Sequence, residues 1–464
     1  ARKEREREKE RMRADEDTRV ELTRAMLQTA QGVPVLWAAA SAFIQPEIIA
    51  LGEAKVREYI AADPRLKPYA PWLEDILRYK AHTLSPGEEK IMALASDVSR
   101  YYPAIQRIFT NADFPYPTLP LSTGDEIRLD PQAYTLYRAS ENRTDREAVF
   151  KAFFSTLQDY ERTLGTILTA HVMAHRFDMK ARHFDSCLED ALFDANIPES
   201  VYRNLIANVH TSLPTLHRYL ALRQRMLGVE RLGYEDLYTP MVNGLDKQYT
   251  PEEATDLVIE AAAPLGPEYT ADLEKCFTQR WVDFMPSTGK KSGAYSNGVY
   301  GVHPYQLCNF MGRYDDVSTL AHECGHSMHT YLSCTHQPYV THDYKTFVAE
   351  VASTLDENLL LHYMLGHNSD KATRLFLLGQ YLDGMRATLF RQTLFAEFEL
   401  RIHETVEKDE ALTGESMTRL YLALLKEYYG ADAGVCAVDD LYGIEWAYIP
   451  HFYYNFYVYQ YSTS

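Results

Sequence analysis

The chain has 464 residues, 46% of them hydrophobic, and a formal net charge of −18. That length exceeds what one simple core usually takes, so two lobes are expected. The acidic balance argues against a nucleic-acid binder, whose phosphate partners demand a basic surface, and no apolar run reaches the roughly 20 residues that span a bilayer.

In chain order, residues 2–13 mix Arg, Lys and Glu with almost no apolar positions. This reads as a solvated helix or a frayed end, neither a secretory signal nor a binding tail. Val33 to Ile44 is the most apolar stretch and, being short, is expected to be a buried helix. From Asp17 to about Asn111 amphipathic helical spacing recurs, with Ser85 as a cap and Pro86 at the first turn of one helix. Pro115, Pro117, Pro120 and Gly124 then punctuate two short alternating runs, Thr118–Leu121 and Glu126–Leu129. These predict a hairpin and a boundary, with a helical N-terminal lobe over 1–113 and a second region over 114–464. Helices are expected up to about Leu227, and the strongest strand signals run from Gly293 to Phe310. His171 and His175, four apart among Met, Ala and Val, read as a structural pair. The six cysteines include no C-x-x-C pair, which suits free thiols in a reducing cytoplasm.

The chemistry concentrates in His322-Glu323-Cys324-Gly325-His326, an H-E-x-x-H motif within the apolar-periodic run Val317 to Leu332. Two histidines four apart on a helix lie one turn apart on the same face, so both imidazoles can reach one metal ion. Glu323 points elsewhere around the helix and is placed to take a proton from an attacking water. Cys324 is read as packing. A catalytic zinc needs a third protein ligand and an open position. His329 fails that test, because it stands about 10 Å along the helix axis from His322. Glu350 meets it: it follows His326 by 24 positions, after a turn at Gln337-Pro338-Tyr339, on a second helix whose spacing is marked by Val348, Val351, Leu355 and Leu359. Glu357, seven residues on, either hydrogen-bonds a ligand histidine or faces solvent.

These motifs, His322–His326 followed by Phe347-Val348-Ala349-Glu350-Val351-Ala352-Ser353-Thr354, resemble the thimet-oligopeptidase-type zinc peptidases of family M3, and above all the bacterial oligoendopeptidase F branch. Gly293-Ala294-Tyr295-Ser296 with Tyr305–Phe310, and the histidine- and tyrosine-rich Ile449–Tyr461, are similar to the same family. The resemblance runs from about Asp17 to the end. It implies a mainly α-helical, two-lobed body around a deep substrate channel, with a small β-sheet near the zinc site. It also implies one zinc per chain, and endopeptidase action on short peptides. The family continues past this point with a further helical stretch, and its N-terminus is longer.

Peptide hydrolysis passes through a tetrahedral oxyanion that neutral donors stabilise. The terminal segment supplies such donors; His451, Tyr454 and Tyr457 are the expected ones. If that segment is helical, His451 and Tyr454 share one face and Tyr453 and Tyr457 another. The substrate main chain is expected to add to an edge strand at Gly293, Ala294 and Tyr295. Metal ligands are expected at His322, His326 and Glu350, with Glu323 as general base. A carboxypeptidase would need Arg313 or Arg386 to grip the free carboxylate. A non-catalytic peptide-binding module would have no use for Glu323, and a structural zinc site would need a fourth ligand.

Overall fold

The helical spacing dominates the outcome: the protein is 71% helical with only small sheets. The computed structural model describes residues 2–23, 25–27, 29–30, 41, 43–99, 101–242, 247–291 and 293–463. Of the apolar stretch Val33–Ile44, all but Ser41, Phe43 and Ile44 lies outside these residues. Among the described residues no helix is long and apolar enough to cross a membrane.

Two compact units form, each from two pieces of chain: Ala1–Gly87 with Leu245–Asp370, and Glu88–Gly244 with Lys371–Thr463. Compactness thus divides the chain elsewhere than the expected single boundary after residue 113. The reason is topological: the chain leaves the first unit, builds most of the second, returns, and leaves again.

The first unit carries a helix α1 (Arg2–Glu16) and a three-stranded sheet. Among the described residues the five strands are β1 (Thr118–Pro120), β2 (Glu126–Arg128), β3 (Val282–Asp283), β4 (Tyr295–Asn297) and β5 (Tyr305–Leu307). β4 pairs antiparallel with β5, with Ser296 opposite Gln306, while β3 joins the other side of β5 in parallel, so β4 is an edge. β3 was not expected, since two residues carry no alternation to read. α1 is not solvated all round. The Tyr295 hydroxyl donates to Asp15 at 2.9 Å, the Asn297 amide donates to Glu8, and the Lys291 N–H donates to the Asp15 carbonyl at 2.9 Å. Its packing face is polar, which is why an apolar-periodicity reading missed it.

The second unit holds the expected hairpin, β1 paired antiparallel with β2, Leu119 opposite Ile127. The helix Glu199–Leu227 ends at Gly228, whose left-handed φ of 66° closes it. An aromatic core fills this unit, with Tyr134 stacked on Phe153 at 4.1 Å and edge-on to Phe150 and Tyr448. Arg391 and Glu445, both buried, pair at 2.6 Å while the Tyr234 and Tyr421 hydroxyls donate to the same carboxylate. The expected structural pair acquires a third member: His175 Nδ1 lies 3.0 Å from His403 Nε2, and His171 packs on Tyr453.

Glu399 is fully buried in the helix Gln392–Glu407, and burial pushes its carboxyl up to about 8. A carboxyl whose pKa is raised by folding binds its proton more tightly in the folded chain. Stability is therefore lost as pH climbs from about 4.5 through about 8. Glu399→Gln removes that penalty. In urea unfolding the variant should match the parent near pH 5 and exceed it by up to a few kcal/mol at pH 9, at about 1.4 kcal/mol per pH unit. Equal stabilities at pH 9 would contradict the assignment.

Candidate metal centre

The motif helix, α2 (Tyr314–His336), is longer at both ends than expected. Gly312 turns the chain at a left-handed φ of 87°, and Asp316 caps the start by accepting from the Arg313 and Met311 N–H groups at 2.8 and 3.1 Å. Asp315 and Asp316 in the first turn also suit the positive end of the helix dipole. Gln337 ends the helix in extended conformation and Pro338 follows, as expected. After a single 3-10 turn over Thr346–Val348 comes α3 (Ala349–His367).

α3 has the expected period and the opposite face. Val348, Val351 and Leu355 are exposed, whereas Glu350, Ser353, Asp356, Leu360 and Leu361 are buried. The polar residues face inward because they meet the polar side of α2. The two helices approach closely at Gly325, where a Cβ would stand 2.6 Å from the Ala352 carbonyl oxygen and 2.7 Å from the Ser353 Cα. Both obstacles are backbone, so Gly325→Ala must push the helices apart. We expect a loss of about 1–3 kcal/mol, the usual cost of overpacking, read as a lowered thermal midpoint. An unchanged midpoint would mean that the crossing is looser than described.

That close crossing sets Glu350, in the first turn of α3, against both motif histidines. Glu350 Oε2 lies 3.4 Å from His322 Nε2 and 3.5 Å from His326 Nε2. Ligand atoms of the three residues all fall within 4.8 Å of one another, and among the described residues they form the one such group of His, Cys, Asp or Glu that could hold a metal ion. Around the group, His322 Nδ1 is 2.5 Å from Glu357 Oε1, the first of the two expectations for Glu357, while the Glu357 side chain stays partly open to solvent. Ser353, which the sequence reading missed, donates to Glu350 Oε2 at 2.8 Å. Its i+3 spacing from Glu350 was the available signal. Burial raises the Glu350 carboxyl, but the facing His326 and His322 outweigh it and hold it below the ordinary range.

Glu323 is buried, and one of its carboxylate oxygens, Oε2, has no partner. Burial pushes its pKa up, against the pull of His322 and His326, and the Ser296 backbone N–H of β4 faces it. A cavity of about 390 Å³ opens here, lined by Ala294, Asp315, Ser318, Thr319, His322, Glu323 and Glu357. Ala294 therefore stands beside the motif. Gly293 has a left-handed φ of 82° with open space where a side chain would be. Tyr295 turns away to Asp15 of α1 and has Arg11 and Lys291 over its ring. His329 stacks on Tyr344 at 3.7 Å and is not in the ligand group. Cys324 is fully buried against Gln306.

The terminal segment belongs to the second unit and is not a continuous helix. Pro450–Tyr453 forms a 3-10 turn, Asn455 and Phe456 take left-handed φ values of 51° and 56°, and a helix resumes only at Tyr459. The result differs from a helical face: the His451 ring lies parallel to Tyr457 at 6.2 Å, and edge-on to Tyr454 at 5.5 Å. Tyr457 accepts from the Tyr461 hydroxyl at 3.1 Å. Burial lowers the His451 imidazole from its ordinary value, which keeps it neutral. Tyr453 is buried against His171, whereas Tyr454 is 55% exposed. Arg386 is also buried, with Nη2 donating to the Leu237 carbonyl.

Comparison with known proteins places these features in context. Residues 136–464 match the model of peptidase family M3, and residues 47–116 match that of oligopeptidase F. The chain is 40% identical over 453 residues to oligopeptidase PepF of Bacillus subtilis, covering 98% of this chain and 67% of that protein. It is 37% identical over 455 residues to group B oligopeptidase PepB of Streptococcus agalactiae, covering 98% and 75%. The crystal structure of oligoendopeptidase-F from Enterococcus faecium superposes with a TM-score of 0.76 at 33% identity, over 99% of this chain and 77% of that one.

Proposed function

This chain belongs to peptidase family M3, and from that premise we propose that it is a zinc-dependent endopeptidase, hydrolysing internal bonds of short unstructured peptides with Glu323 as general base. The observation that carries the proposal is the convergence of His322, His326 and Glu350 on one point beside Glu323. Two of the three separations fit the ion, and the whole group spans no more than 4.8 Å. Tetrahedral zinc with bonds of about 2.0–2.1 Å keeps its ligand atoms about 3.3–3.4 Å apart, close to the 3.4 and 3.5 Å seen between the carboxylate and the two imidazoles. The bond from His322 Nδ1 to Glu357 leaves Nε2 as the free lone pair that a metal requires. A zinc ion held there supplies Lewis acidity, polarising the scissile carbonyl and acidifying a water.

The rest is the work of the chain. Glu323 Oε2 takes the proton from the attacking water and passes it to the leaving amine nitrogen. The burial that raises its pKa suits a group that must accept and release a proton near neutrality. Gly293 and Ala294, which precede β4, and Tyr295 at its start are assigned as the main-chain groups that an extended peptide meets. With the Tyr295 side chain taken by α1, recognition there rests on backbone, which favours broad sequence tolerance. His451, Tyr454 and Tyr457 are assigned as oxyanion donors and substrate contacts. Tyr457→Phe should then lower kcat by roughly tenfold or more, up to the about hundredfold that losing a dedicated oxyanion donor costs, with KM little changed. A raised KM at parental kcat would make Tyr457 a binding residue only. The six cysteines are free, which supports a reducing compartment such as the cytoplasm.

The test is a quenched-fluorescent peptide blocked at both ends. Internal cleavage that chelator abolishes and zinc restores is expected. Cleavage confined to peptides with a free C-terminus would instead favour a carboxypeptidase, with the exposed Arg313 as its carboxylate grip. Chelator-resistant cleavage would remove the metal from the account.

A further inference from the structure

Between His451 and Tyr457 the backbone does something costly. Two successive residues that are not glycine, Asn455 and Phe456, sit in the left-handed region. Asn tolerates that conformation; a bulky aromatic residue does so only when its surroundings over-determine it. The surroundings are visible. The Phe456 ring is buried edge-on to Tyr202 at 5.6 Å and against His403 at 4.5 Å. Its backbone N–H donates to Glu399 Oε1 at 2.6 Å, a bond closed entirely inside the protein. Glu399 is itself enclosed: it is completely buried, and its own carbonyl is held by His403 Nδ1 at 2.8 Å.

The inverted turn has a geometric consequence. It sends Phe456 inward while leaving the half-buried His451 and Tyr457 side by side, their rings 10° from parallel. A continuous helix would have put those two residues on different faces. We propose that Glu399 is a positioning residue for the His451 and Tyr457 donors: by holding the Phe456 N–H it fixes the left-handed turn that sets the two rings parallel. This rests on the reading of His451 and Tyr457 as donors. It goes beyond that reading by naming a buried carboxyl on another helix as the part that aims them. A carboxyl buried with one oxygen, Oε2, lacking any partner is a poor choice for stability alone. Positional use gives it a reason.

The experiment compares Glu399→Gln, Glu399→Asp and Tyr457→Phe by steady-state kinetics on a blocked fluorogenic peptide. A site-specific 3-fluorotyrosine at position 457 is followed by 19F NMR in the same Glu399 backgrounds. Gln keeps an oxygen acceptor at the same reach; Asp withdraws it by one methylene. Glu399→Gln should hold the parental kcat within about threefold and leave the fluorine resonance in place. Glu399→Asp should lose kcat by roughly tenfold or more, as one misaimed donor does, at near-parental KM, and should shift the resonance. Glu399→Asp combined with Tyr457→Phe should be little worse than either alone, because both remove one function. If Glu399→Asp leaves kcat and the resonance unchanged while Tyr457→Phe is impaired, the positioning role is wrong and the donor reading stands. If Glu399→Asp shifts the resonance but Tyr457→Phe cleaves at the parental rate, the donor reading is wrong.

Discussion

Glu323→Gln should keep its metal and bind peptide, yet lose at least about a hundredfold in turnover, the usual order for a general base. The expectation follows from position. Glu323 stands next to His322 in the motif but on another side of α2, so it is absent from the group formed by His322, His326 and Glu350. Its replacement by an isosteric amide leaves those three donors untouched. The amide oxygen still satisfies the facing Ser296 N–H. What the amide cannot do is accept a proton at the atom that has no other partner, Oε2. Metal analysis, calorimetric binding of an uncleaved peptide, and steady-state rates separate these outcomes. A variant with full metal and near-parental turnover would show that another group is the base.

His326→Ala should abolish stoichiometric metal binding. Three donors are near the minimum for retaining zinc in a catalytic site, and this change removes one outright. It also deprives Glu350 of the partner that does most to keep its buried carboxylate ionised. Glu357→Gln acts on the same site at one remove, through His322 Nδ1. Losing such a supporting contact ordinarily costs about 10–100-fold in affinity, so Glu357→Gln should bind metal weakly and His326→Ala scarcely at all. Equilibrium dialysis followed by elemental analysis gives the order. Full metal content in His326→Ala would sink the ligand assignment.

Much of this site was legible because its chemistry restricts residue types. H-E-x-x-H and a later carboxylate are recognisable by spacing alone, and the structure brings His322, His326 and Glu350 together although 24 positions separate the last two. The helices and the hairpin at 118–128 were legible from period and punctuation. Other features were not, for identifiable reasons. The face of α3 inverts, since a buried polar cluster of Glu350, Ser353 and Asp356 looks in sequence like a solvent face. α1 packs through Glu8 and Asp15, so its contact with β4 leaves no apolar trace. The turn at Asn455-Phe456 contains no glycine to announce a left-handed backbone, so whether Ile449–Tyr461 is helical stayed open in the sequence. The two units interleave along the chain, which a linear search for one boundary does not reveal.

Metal-free protein titrated with zinc, while cleavage of an end-blocked peptide is followed, tests the central claim most directly. Turnover should be absent without metal, rise in proportion to added zinc, and level off at one equivalent per chain. Full turnover in the metal-free protein, or a rise that continues to a second equivalent, would contradict a single centre at His322, His326 and Glu350.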